Sequence, residues 1–403
     1  MVIKFKKSKL LVGVLMLLHG MTLVGINFII PVAVLSICYG AAHFKNIIKT
    51  DYESKPVILA GIAVAFASVI VCYVRYGQSL IQGMVGIYFI FILLSYFIFY
   101  DYFCLYDDGI WTAMKLIIRI AVCIAILAIA QSLLYPYFNL FEYAFRNGRI
   151  RIYEIELSFF AEIIAFSHLI LGLATKTMKI QLVIMLWGLV FVSQSRGAMI
   201  VLCASGTIAV IRKYWNDRTI RSFLKNLLFL MLLACGVYLF SKTAYWDFLF
   251  SFFDEIQEGM GSGATRLGEL FYYFKELRKS PWFGMGILKG GSLLADRVYR
   301  IDLWFFIEDC GLLGYIFQTG ITGILWLISV FLCMLARIKK LMRTETREGK
   351  VILNSMIMVI IASAVGIANA NHIVSRTSIL FFSMLLAMAD VCLKKETEVT
   401  HEV

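Results

Sequence analysis

The chain has 403 residues, 61% hydrophobic and 16% charged, with 38 lysines and arginines against 26 acids and a formal charge of +12. Apolar stretches repeatedly reach the roughly 17 to 25 residues that cross a bilayer as helix, which excludes a soluble globular domain. It also excludes an outer-membrane barrel, whose strands are about 10 residues long and alternate in polarity.

The expectation is an all-α, polytopic transmembrane helical bundle. Apolar runs predict about twelve spans: 9–25, 28–43, 56–75, 81–99, 113–135, 157–175, 179–193, 197–212, 224–242, 311–336, 351–368 and 374–392. The first run follows "MVIKFKKSK", is long and has no small-residue cleavage site, so it reads as a retained helix rather than a signal peptide. Of the nine cysteines, most fall within apolar runs as packing residues, and only Cys104 and Cys310 look near a surface. Five scattered histidines include no HExxH and no CxxC occurs, so no protein-bound metal is expected, and no cofactor is assigned.

Lysine and arginine collect in "KFKKSK", "FKNIIKTDYESK", "TKTMK", "IRKYWNDRTIRSFLK", "ARIKKLMRTETREGK" and "LKKETEVTHEV". The positive-inside rule then places these segments and both termini in the cytoplasm. Anchoring to anionic membrane lipids accounts for the net charge, and no nucleic acid is needed as a partner. The chain divides into a transmembrane region at 1–242, an extracytoplasmic loop at 243–305, and a C-terminal transmembrane region with a cytoplasmic tail at 306–403.

The outside segments are rich in arginine against that rule: Arg146, Arg149, Arg151, Arg196, Arg266, Arg278, Arg297, Arg300 and Arg376. Guanidinium forks match phosphate oxygens bidentately, so these suit an anionic ligand. Within the long loop, "RLGELFYYFKELRKS" puts Leu267, Leu270, Phe271, Phe274 and Leu277 at helical spacing, with Glu269, Glu276, Arg278 and Lys279 largely elsewhere on the wheel. This predicts an amphipathic interfacial helix at 266–279. Pro281 ends it, and "WFGMGILKGGS" follows as either a plain flexible loop or a turn whose backbone N–H groups cradle an anion.

The ordered series "SRGA" between two spans, "TRLGELFYYFKELRKSPWFGMG" in the large loop, and "EDCGLLGYIFQTGITG" opening the next span resembles the O-antigen polymerase and O-antigen ligase family over residues 140 to 325. The resemblance implies a GT-C-like, metal-independent glycosyltransferase. It would act on the outer membrane face on polyprenyl-diphosphate-linked oligosaccharides, with a flippase and a chain-length regulator as further partners. In the polymerase branch a hydroxyl of one lipid-linked repeat attacks the anomeric carbon of a chain held on a second carrier; in the ligase branch the acceptor is the lipid A core instead. A lipid-linked oligosaccharide flippase or transporter is the other class, disfavoured by the absence of repeat symmetry.

Such chemistry wants fixed positive charge at the departing diphosphate and a base at the attacking hydroxyl. Arg196 and Arg266 are the first candidates for the diphosphate, the alternative being snorkelling to the interface. Asp309 stands where many family members carry histidine and is the candidate base; Glu308 is its neighbour, and a helix N-cap is the plainer reading. Arg149 and Arg151 are candidate substrate ligands or interface anchors paired with Glu154 or Glu156. Glu162, inside a predicted span, is a candidate substrate contact or partner for an arginine. His168 reads as a core residue, His372 and Arg376 as residues lining an acceptor path, and Gly311, Gly314, Gly320 and Gly323 as close-packing positions.

Overall fold

A computed structural model of the chain describes residues 12–16, 22–23, 26–141, 143–146, 149–152, 155–193, 195–215, 254–258, 261–300, 305–368 and 371–401. Helices dominate: α1 (Ile29–Ala42), α2 (Phe44–Lys49), α3 (Lys55–Tyr76), α4 (Leu80–Gly86), α5 (Ser95–Leu105), α6 (Gly109–Leu134), α7 (Ile155–Ile170), α8 (Lys176–Trp187), α9 (Arg196–Trp215), α10 (Gly261–Lys279), α11 (Leu293–Tyr299), α12 (Gly311–Leu341), α13 (Arg347–Val365) and α14 (Ile379–His401). The strands among the described residues form two short antiparallel hairpins, β1–β2 (Thr22–Leu23, Ile26–Asn27) and β3–β4 (Tyr143–Arg146, Arg149–Ile152).

Among the described residues, six helical runs are long and apolar enough to cross a membrane: Lys55–Tyr76, Tyr88–Leu105, Gly109–Leu134, Lys176–Ser193, Ile307–Leu341 and Arg347–Val365. Three shorter apolar helices, Ile29–Ala42, Leu157–Ile170 and Ala198–Ile211, accompany them. The protein is therefore a membrane-embedded helical bundle. Several predicted spans differ from the observed elements. The span expected at 9–25 does not stay helical to its end, because β1–β2 begins at Thr22. The one expected at 81–99 is α4, a 3-10 run at Tyr88–Leu94 and the start of α5. The one at 224–242 lies outside the described residues.

Local sequence explains the ends. α3 has Pro56 in its first turn, where the missing N–H costs nothing, and stops at left-handed Gly77. Ser79, Thr175 and Thr346 cap α4, α8 and α13, each accepting from a backbone N–H three residues on. α14 forms the centre of the bundle, with every residue from Ile379 to Leu393 buried.

The contacts sort the loops onto two ends. At one end Ser54 at the start of α3, Tyr96, Arg337 of α12 and Asp390 of α14 meet. At the other, Arg75 at the close of α3 donates to Gly284 O, Leu313 N donates to Ile367 O just past α13, and His372 stacks on Phe159 near the start of α7. α7 and α13 run antiparallel between them, joined midway by Ser167 and Ser355 at 3.1 Å.

One element departs from simple spanning geometry. α12 is broken at Gly320 (φ 65, ψ −148), and the segment Pro281–Lys289 is laid against the break. Ile321 N and Thr322 N donate to Pro281 O and Trp282 O at 2.8 and 3.1 Å, while Met285 N and Gly286 N donate to Phe317 O and Gln318 O, both at 2.8 Å. Farther along, Ile287 N donates to Ser68 Oγ (2.6 Å), Leu288 N to Tyr299 Oη (2.9 Å) and Lys289 N to Gln78 Oε1 (3.0 Å). Irregular backbone within a bundle survives where protein satisfies its polar groups, and here it does. "WFGMGILKGGS" is thus neither a free loop nor an anion cradle over residues 285–289: each of those amides is already bonded inside the protein.

Candidate functional site

At the end that carries Arg376, α10 lies beside a 3-10 turn, Ile307–Cys310, which leads into α12 through Gly311 (φ 58). α10 begins at Gly261, earlier than the predicted 266, and its apolar positions divide, Leu270 and Leu277 packing against the protein while three others stay exposed. Leu267, Phe271 and Phe274 are exposed, at 39, 70 and 46%. Tyr273 and Glu269 are buried instead, Tyr273 donating to Tyr299 O at 2.8 Å and packing on Phe317. An amphipathic wheel assumes the polar face meets water. Here an exposed stripe takes the aromatics Phe271 and Phe274, and the protein-facing side takes the residues with hydrogen bonds to make.

Glu269 ties this helix to the turn. Its Oε1 accepts from Phe306 N at 2.6 Å and its Oε2 faces the Cys310 thiol at 4.0 Å. Burial pushes its carboxyl up to about 7; the Phe306 N–H opposes the rise, the negative charge of Asp309 adds to it, and Arg266 one turn back opposes it. Asp309 and Arg266 therefore lie within electrostatic reach of one buried carboxylate. Asp309 does not cap α12: the cap position is Cys310, and no side chain bonds there. Cys310 is 1% exposed, correcting its expected place near a surface.

Glu308, the other acid of the turn, faces outward and pairs with Arg376 at 3.2 Å. The guanidinium of Arg376 also lies 5.7 Å from the centre of the Phe89 ring and packs beside Gly290. Arg300 covers the Phe306 ring at 4.4 Å and pairs with Asp296 at 3.3 Å. One end of the bundle so gathers the carboxylates Glu269, Glu308 and Asp309 and the guanidiniums Arg266, Arg300 and Arg376. An outward carboxylate can accept a hydroxyl proton, and half-exposed guanidiniums can hold phosphate oxygens.

The other sequence candidates lie on β4, α9, α7 and the loop before α14. Arg149 and Arg151 lie in β4, and Arg196 opens α9 after a π-helical turn at Gly188–Ser193. β4 contacts that turn, which puts the start of α9 at the same end of the bundle as the hairpin. The side chains of these three arginines lie outside the described residues. Glu162 is fully buried in α7, and among the described residues neither of its oxygens has a hydrogen-bond partner, so it lines no open surface. His372 is buried at 1% and stacks on Phe159 with centroids 3.9 Å apart, a packed position rather than a path lining. His168 is a core residue, its Nδ1 2.7 Å from Ile164 O.

Two features escape the sequence. Glu269 looks like a wheel-surface acid, and only the covering turn buries it. Arg337 reads as one of many leaflet-anchoring cations, yet it is 8% exposed and its Nε donates to Asp390 Oδ1 at 2.9 Å. Asp390 also accepts from Ser54 N, Ser54 Oγ and Tyr96 Oη at 3.1, 2.6 and 2.7 Å. The signal available was an acid near the end of an apolar run, which a membrane helix carries only with partners.

Compared with known proteins, the chain matches no family model and no curated protein.

Proposed function

We propose that the chain is a polysaccharide repeat-unit polymerase that joins polyprenyl-diphosphate-linked oligosaccharides at the outer face of the cytoplasmic membrane. The observation that carries this reading is the meeting of Glu308 and Arg376 beside Asp309, Arg266 and the buried Glu269, at the end where the sequence places the outside loops. In this reading Arg376 and Arg266, with Arg196, hold the diphosphate, and Asp309 or Glu308 takes the proton of the attacking hydroxyl. Charge that grows on a leaving diphosphate is stabilised by fixed guanidiniums without a metal. The ordered motifs from "SRGA" to "EDCGLLG" support the same class.

The test is purified full-length chain in liposomes given a polyprenyl-diphosphate repeat unit. A ladder of products is the expected result. A single chain moved onto a second acceptor would make it a ligase, and substrate carried across the bilayer unchanged would make it a transporter.

A further inference from the structure

Breaking a glycosyl diphosphate and forming a glycoside moves one proton. The acceptor O–H gives it up as its oxygen bonds to the anomeric carbon, and the old bond's electron pair leaves with the diphosphate. A carboxylate that takes this proton works better when its surroundings favour uptake. The acidic turn has an internal arrangement for that. Glu269 is 1% exposed, reaches the turn from a different helix, bonds the Phe306 amide at 2.6 Å, and faces Cys310 with its second oxygen. Among the described residues, the charged and titratable groups around it are Arg266 and Tyr273 of its own helix and Asp309 and Cys310 of the turn.

We propose that Glu269 is the positioning residue of this site: it fixes the Phe305–Cys310 segment through the Phe306 amide and places a second negative charge beside Asp309, favouring uptake of the acceptor's proton. The proposal rests on the polymerase reading for its kinetic consequence only. The ionisation of Glu269 near about pH 7 is the accompanying physical signature.

Infrared pH titration of the full-length protein in lipid nanodiscs reads that signature without substrate. The wild type should lose one protonated-carboxyl band with a midpoint near about 7, and Glu269→Gln, which keeps an oxygen for the Phe306 amide, should lack that transition. Glu269→Asp should move it, which decides the matter if the glutamine variant does not fold. No carboxyl titrating in that range, or an unchanged transition in both variants, overturns the proposal. Where the wild type makes polymer, its rate should fall as pH drops through the same midpoint, and E269Q should lose that limb while still folding. An E269Q rate that follows the wild-type profile overturns it as well. If the wild type makes no polymer at any pH, the polymerase reading fails while the infrared result still decides the role of Glu269.

Discussion

The carboxylate of Glu308 and the guanidinium of Arg376 meet at 3.2 Å from two separate loops, with side chains 70 and 37% exposed. So exposed a pair contributes only about 0–1 kcal/mol to stability, because water and salt screen it. Its value lies in what it presents. Arg376→Ala should leave the thermal unfolding midpoint nearly unchanged while cutting polymer formation by about 100-fold or more, the usual scale for losing a preorganised charge stabiliser. Arg376→Lys should not restore the rate, since a point charge lacks the fork. A large fall in unfolding temperature with the alanine variant would make the pair structural and remove it from the site.

The break in α12 depends on two glycines. Both Gly284 and Gly320 have φ near 65, and a Cβ on Gly320 would stand 2.5 Å from Gly284 N and from Pro281 O. A Cβ on Gly284 would collide with Phe317 O. These neighbours are backbone, so nothing can rotate away. Gly284→Ala and Gly320→Ala should each cost more than the about 1–2 kcal/mol of a left-handed alanine alone, and should speed hydrogen exchange across residues 281–289. Gly291→Ala is the control: its φ is 69 with nothing within 4 Å, so only the backbone strain applies. Equal losses at all three positions would show that the close backbone contact is unimportant.

Glu269 gives the protein a stability that depends on pH. Its carboxyl titrates at about 7 instead of 4.5 because burial disfavours the charge. A carboxyl raised on folding contributes stability that is fully present below its ordinary value and is lost as pH rises through the folded one. The wild type should therefore unfold at a lower temperature at pH near 8 than near 5, relative to E269Q, with the difference developing between 4.5 and about 7. A wild-type minus E269Q difference that is flat, or of opposite sign, over that window would refute the assignment.

Long apolar runs are legible without tertiary information because a bilayer imposes its own length, and α3, α6 and α13 overlap the apolar runs predicted at 56–75, 113–135 and 351–368. The alternation of loops between the two ends is also visible in lysine and arginine spacing. What eludes the sequence is anything set by a neighbour. Glu269 reads as an exposed acid on the α10 wheel and is buried because the Ile307–Cys310 turn covers it. The amides of residues 285–289 look available because the broken α12 that occupies some of them is distant in sequence. The same holds for the site: "IEDC" advertises two acids, but the pairing of Glu308 with Arg376 and the approach of Glu269 are long-range facts.

The Arg337–Asp390 pair shows what such a long-range contact should be worth. Asp390 is wholly buried and accepts from Arg337 Nε and from three neutral donors, Ser54 N, Ser54 Oγ and Tyr96 Oη. Arg337, in turn, has Asp390 at 2.9 Å and the half-exposed Glu53 at 3.7 Å. Removing the acid takes from the guanidinium its closest partner, leaving Cys333 O, Ser54 Oγ and the more distant Glu53, and takes from Tyr96 Oη its acceptor, whereas removing the arginine leaves a carboxylate still held by three donors. Asp390→Leu should therefore cost about 3–5 kcal/mol, the range for orphaning a buried charge, and Arg337→Met should cost less. The double variant should lose clearly less than the sum, because neither charge remains to be desolvated alone. Thermal unfolding of the four proteins in one detergent decides this. Additive losses would mean that the two residues stabilise the α12–α14 junction independently and that their ion pair is incidental.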